Sequence, residues 1–205
     1  KELGFVQRDA YTSYRENSVQ RMEALEALGD TGFFRVENAM ARDSNDGLAA
    51  GYHAVSHYSS VSNQKTFHYL GDLGMVNYVN HRYLRYYGAS SLLDAVLGVK
   101  YVWAPEEVRY GMKKLEVEAV GGTYLYENTM ALPLLFAADQ KALAITEEAN
   151  KPFVNQNRLF SGLSGIEEDC LIPLQHHVSS NTGVIKETNG RTELEHVTNL
   201  YITIQ

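Results

Sequence analysis

Apolar and polar positions recur along this chain with two periods, and the change from one to the other outlines its elements. Between residues 8 and 28, Tyr11, Tyr14, Ser18, Met22, Leu25 and Leu28 follow at three- and four-residue steps, a spacing that gathers side chains on one helix face. Gly29 then supplies a C-terminal stop. Residues 33–37 (FFRVE) and 52–58 (YHAVSHY) read as strands, with the turn-forming cluster 43–47 (DSNDG) between them. Phe67, Leu70 and Leu73 give residues 63–73 a helical face. Residues 90–97 form a serine-capped helix ended by Gly98, and the strand 99–103 (VKYVW) follows at once. Further strands are predicted at 123–127 and 134–137, and helices at 141–149 and 155–163.

After Cys170 the texture changes to strand-like alternation at 171–178, 183–187 and 194–204, around turns at 181–183 and 189–190. The pattern predicts an α+β fold, with a mixed or mainly antiparallel sheet, helices packed on it and a β-rich C-terminal tail. The expected division is an α+β domain over residues 1–165 and a tail over 166–205. The tail either completes the sheet or begins a β-sandwich module that the chain truncates.

Composition narrows the function classes. Of the 205 residues, 44% are hydrophobic and 21% charged, enough apolar material for a packed core. A net charge of -7, with no dense basic run, argues against a nucleic-acid partner. Cys170 is the single cysteine, so neither an internal disulfide nor a multi-cysteine zinc site can form. No apolar stretch reaches the roughly 20 residues that span a bilayer. The chain starts without Met and ends inside an apparent strand, and it is expected to be a piece of a longer protein.

Candidate chemistry is sparse. His53 and His57 stand four apart, but Ala54 occupies the place where a zincin motif needs Glu. Asp43, Asn45, Asp46 and Gly47 miss the register of a calcium loop. Gly121 and Gly122 make no phosphate loop, and residues 161–165 make no nucleophile elbow. The acidic neighbours of Cys170, Glu167 to Asp169, are expected to raise its pKa rather than activate it. No catalytic residue, metal or cofactor is assigned. The aromatic- and arginine-rich stretch 80–87 (NHRYLRYY) is the better ligand candidate, because arginine pairs with phosphate and tyrosine rings stack on sugars. Arg82, Tyr83, Arg85, Tyr86 and Tyr87 are the candidates there, joined by Tyr52, His53, His57 and Tyr58.

A series of phrases carries a family resemblance: FFRVEN at 33–38, NDG at 45–47, GYHAVSHYSS at 51–60, YYG at 86–88, LLDAVLGVKY at 92–101, YENTMALP at 126–133 and PFVNQN at 152–157. Their order and spacing resemble the extracytoplasmic part of YfhO-family bacterial membrane proteins, with Thr129 where the family favours proline. The resemblance implies a parent with many transmembrane helices and a fold similar to GT-C glycosyltransferases, which take a sugar from a polyprenyl-phosphate donor on the outer face of the membrane. It implies a role in decorating a cell-envelope polymer such as the lipoteichoic acid of Gram-positive bacteria. The acid expected to do the chemistry belongs to a membrane loop outside this sequence. The expected partners are therefore the transmembrane part of the same protein and a glycan or teichoic acceptor. A non-catalytic bracing or protein-interaction module is the other reading.

Overall fold

The computed structural model describes residues 7–42, 44–78, 83–86, 90–106, 109–172, 176–180, 182–188, 191–196 and 201–204. Helix α1 (Arg8–Ala27) leads to strand β1 (Arg35–Asn38), the short helix α2 (Asp46–Ala50), strand β2 (His57–Tyr58) and helix α3 (Gln64–Asp72). Strands β3 (Val76–Tyr78) and β4 (Tyr83–Arg85), helix α4 (Ser91–Val96) and strands β5 (Val99–Ala104), β6 (Met112–Lys114) and β7 (Tyr124–Asn128) follow. A 3-10 turn at Gln140–Ala144 precedes helix α5 (Pro152–Ser164), and β8 (His176–Ser179), β9 (Val184–Thr188), β10 (Arg191–Glu195) and β11 (Tyr201–Ile204) form the tail.

The main sheet has four strands in the order β1-β5-β7-β6. β1 runs parallel to β5 and the other pairs are antiparallel, so the sheet is mixed and the fold is α+β. Each sheet face carries its own core. Tyr101, Trp103 and Leu125 pack with Val36 and Leu25 of α1 on one side. Val99, Val102, Ala104 and Tyr126 pack with Leu93, Phe67 and Leu84 on the other. Strict alternation would send Val99 and Tyr101 to the same side. A bulge prevents it: Arg35 pairs with Val99 and Val36 with Tyr101, leaving Lys100 as the extra residue. Lys100 then reaches the carboxylate of Asp30 at 2.5 Å.

A second, three-stranded sheet in the order β2-β4-β3 holds the candidates Tyr83 and Arg85 on β4 and His57 and Tyr58 on β2. In the tail, β9 pairs with β10 and β8 with β11, both antiparallel.

Several expectations are corrected. Only His57 and Tyr58 of the expected 52–58 strand pair with a neighbour. Residues 134–137 form no strand, and 141–149 give only the 3-10 turn. The α1 face is shorter than expected: Ser18 and Leu25 are buried with Arg21 beside them and Met22 packs on the core, whereas Tyr11 is 55% exposed. The three-residue strands β3, β4 and β6 carry too few alternations to be read from pattern.

Candidate functional site

The segment after α2 is set down on the sheet by side chains rather than by a ladder. Gly51 ends α2 at a φ of 89°, a conformation that favours glycine. The backbone then touches β1 once, Val36 N–H donating to His53 O at 2.8 Å. Two residues on, the buried carboxylate of Glu37 takes over. It accepts the backbone N–H of Val55 (2.5 Å) and of Ser56 (2.9 Å), and the Ser56 hydroxyl at 2.8 Å. Asn45 Oδ1 holds the next turn by accepting Tyr58 N–H at 2.8 Å. Ser56 Oγ in turn accepts Tyr86 N–H at 2.9 Å, joining this segment to the end of β4.

These restraints leave a groove of about 310 Å³ over residues 51–57, lined by Phe33, Arg35, Asn45, Tyr52, His53 and His57 among others. The His53 ring lies tilted against Phe33, with centroids 5.0 Å apart. The Arg35 guanidinium sits 5.5 Å from the Phe33 centroid and donates to Leu97 O. His57 meets Phe67 edge-on at 4.9 Å, and its Nδ1 lies 3.0 Å from Val55 O. Among the described lining residues there is one arginine, two histidines and no carboxylate. That is a local reversal in a chain of net charge -7.

Sequence candidates divide on this geometry. Tyr52, His53 and His57 share the groove. Tyr58 and Tyr83 face one another across the β2–β4 ladder with ring centroids 4.5 Å apart, and Tyr58 keeps 38% of its surface exposed. Arg85 is half-buried on β4. Arg82 and Tyr87 lie outside the described residues. Tyr86 is buried, and its hydroxyl donates to Asp94 Oδ2 at 2.9 Å beneath the Arg109 guanidinium. Its ring is a core element joining β4 to α4. Arg35, Asn45 and Ser56 were missed because they come from three separate segments. Arg35 and Ser56 carry no site signal beyond their place in the quoted family phrases, and Asn45 adds its place in the turn cluster 43–47.

Burial dominates the electrostatics under the groove. It pushes Glu37 up to about 7, despite three hydrogen bonds that favour the anion, and the Asp94 charge adds to the rise. Burial also pushes Asp94 up to about 6, against the pull of Arg109 and the Tyr86 hydroxyl. The Tyr52 phenol is driven far up by burial and by Asp46, whose Oδ2 it donates to at 2.8 Å. Tyr52 therefore offers its ring, not a free hydroxyl. Cys170 is exposed, and its thiol is raised first by partial desolvation and then by Asp169. Among the described residues no three His, Cys, Asp or Glu side chains are grouped to hold a metal ion.

The family model of the bacterial membrane protein YfhO matches residues 1–205. The chain belongs to the YfhO family. Neither a curated protein nor a solved structure matches it. Among the described residues of this YfhO-family chain, no helix is long and apolar enough to cross a membrane. The groove residues fall in the stretch with the densest family phrases, residues 33–60.

Proposed function

We propose that this chain is an extracytoplasmic accessory domain of a YfhO-family membrane glycosyltransferase and that it holds the acceptor polymer without doing chemistry itself. The groove over Phe33, Arg35, Tyr52, His53 and His57 carries the reading. The tilted Phe33–His53 pair is an aromatic ledge of the kind on which a sugar ring stacks. Arg35 stands beside the ledge as the cation for an anionic group on the same polymer. The lack of a described carboxylate in the lining lets a polyanion approach a domain whose overall charge would repel it. A lipoteichoic acid, through a sugar transferred from a polyprenyl-phosphate donor, is the acceptor the family resemblance suggests.

The test is an NMR titration of this chain with lipoteichoic acid, bare and glycosylated, at two salt concentrations. Saturable, salt-sensitive shifts confined to residues 33–35 and 52–57 are the expected result. Absence of shifts at millimolar ligand would overturn the acceptor reading.

A bracing role is the second reading, and one observation favours it. Leu134 and Leu135 are 58% and 87% exposed, and together with Phe33, Phe34 and Leu132 they line an apolar groove of about 470 Å³. Its described charges, Lys100 and Asp30, are paired with each other. Contact of this face with the membrane part of the same protein would cover it. Impaired assembly of the full-length protein on Leu135→Ser, with the acceptor titration silent, would favour this reading over the first.

A further inference from the structure

Between α1 and the sheet lies a small cavity of about 10 Å³, lined by Ser18, Arg21, Asn38, Asp46, Tyr52 and Trp103 among others. Two of its walls carry buried donors left over from all other bonding. Arg21 is 6% exposed and commits Nε to Thr123 Oγ1 and Nη2 to Val120 O, each at 3.3 Å. Its Nη1 has no hydrogen-bond partner among the described residues, and neither does Nε1 of Trp103, which is 1% exposed. Buried donors in native folds are almost always satisfied. The same cavity offers acceptors. Among the described residues Asp46 Oδ1 takes only the Tyr14 hydroxyl, and Ser18 Oγ, which donates to Tyr14 O at 2.9 Å, has lone pairs to spare.

We infer that this cavity is a binding site for one internal water molecule, which accepts from Arg21 Nη1 and Trp103 Nε1 and donates to Asp46 and Ser18. The volume is that of a single water-sized probe, and two to four polar partners is the usual number for a buried water. Charge separates water from a halide. Arg21 and Asp46 already balance within the cavity wall, so an added anion would leave a net negative charge in a buried place. The site also has a structural consequence. Asp46 is held at once by Tyr14, Tyr52 and Asn38, and Tyr52 reaches from this cavity into the groove above. The water would complete the polar layer that fixes Tyr52 from below.

Trp103 is the sole tryptophan, so its indole N–H gives one unambiguous NMR signal. The experiment records water-selective NOE and ROE spectra of this chain. A cross-peak from the indole proton to water, opposite in sign in the two spectra, is expected for a water resident longer than about a nanosecond, as a buried one is. The peak should persist in Tyr14→Phe and Tyr52→Phe, which remove the phenol protons near the cavity that could mimic it. No peak in the folded wild-type chain, or a peak lost in either phenol variant that keeps its fold, would overturn the inference. A saturable indole shift with chloride but not with a bulkier anion would overturn it too, by assigning the site to an ion.

Discussion

Glu37 sits in the middle of β1 with 1% of its surface exposed, and its carboxylate gathers three donors from residues 55 and 56. Burial nonetheless lifts it from 4.5 to about 7, and lifts Asp94 from 3.8 to about 6. Both folded pKa values exceed the unfolded ones, so the unfolded chain gives up these protons first. The stability they contribute is whole below about pH 4 and is lost as pH rises through 6 to 7. For Glu37 the effect is on the order of 3 kcal/mol between its two limits. Urea unfolding at several pH values from 5 to 8 should show stability falling with pH, and Glu37→Gln should flatten most of that slope. Asp30 and Glu148 are shifted the opposite way and act only at more acid pH, so they leave this window clear. A wild-type curve that is flat from pH 5 to 8 would show that Glu37 is ionised throughout. Tyr86 makes a second residue-scale test. Tyr86→Phe removes its bond to a carboxylate and should cost about 1.5–3 kcal/mol, while acceptor shifts in the groove stay unchanged. Altered groove shifts would return Tyr86 to the binding surface.

Elements differ in how much local chemistry defines them. Helix α4 is legible because a cap and a stop bound it. Ser90 Oγ accepts Leu93 N–H at 3.3 Å, and Gly98 turns the chain at a φ of 64°. The Ser90 hydroxyl also donates to Gln156 Oε1 of α5 at 2.6 Å. Ser90→Ala should therefore cost more than a lone cap, at or above about 1 kcal/mol in urea unfolding. A loss below a few tenths would show that neither bond matters. Helix α5 depends on Gly162, where an added Cβ would fall 2.5 Å from Ile145 Cγ1. Gly162→Ala should lower stability by about 1–3 kcal/mol despite alanine's better helix propensity, read as a fall in Tm. The strand expected at residues 52–58 fails for a different reason. Its alternation is real, but Glu37 and Asn45 side chains satisfy its backbone where a neighbouring strand would, and pattern does not report that. The candidate site shows the same limit. Tyr52, His53 and His57 were legible as a cluster within one segment. Arg35 and Phe33 join them only because β1 lies alongside, a relation set by tertiary contact.

At the scale of the whole molecule, two cores share one sheet, and the segment between β1 and β5 packs from Val55 onward on the face opposite α1, while Tyr52 packs on the α1 face. The parallel β1–β5 pair joins residues some sixty positions apart, for example Asn38 and Trp103. Such pairing is slow to form because a long loop must close first. The exposed run at Leu134 and Leu135 lies outside both cores. Leu135→Ser should accordingly change the unfolding free energy of this chain by less than about 0.5 kcal/mol. A larger loss would place Leu135 in the packing of the domain itself and remove it from any docking face.

The single extra residue at Lys100 has a consequence for what this sheet can tolerate in evolution. Upstream of it Val99 belongs to one core, and downstream Tyr101 and Trp103 belong to the other. Deleting Lys100 would close the bulge without turning either side over, because Val99, Tyr101, Val102 and Trp103 would then alternate regularly on the faces they already occupy. The Arg35–Val99 and Val36–Tyr101 pairs would fall into one continuous register, and the loss would be the ion pair with Asp30. The extra residue therefore serves that ion pair rather than the division of the two cores.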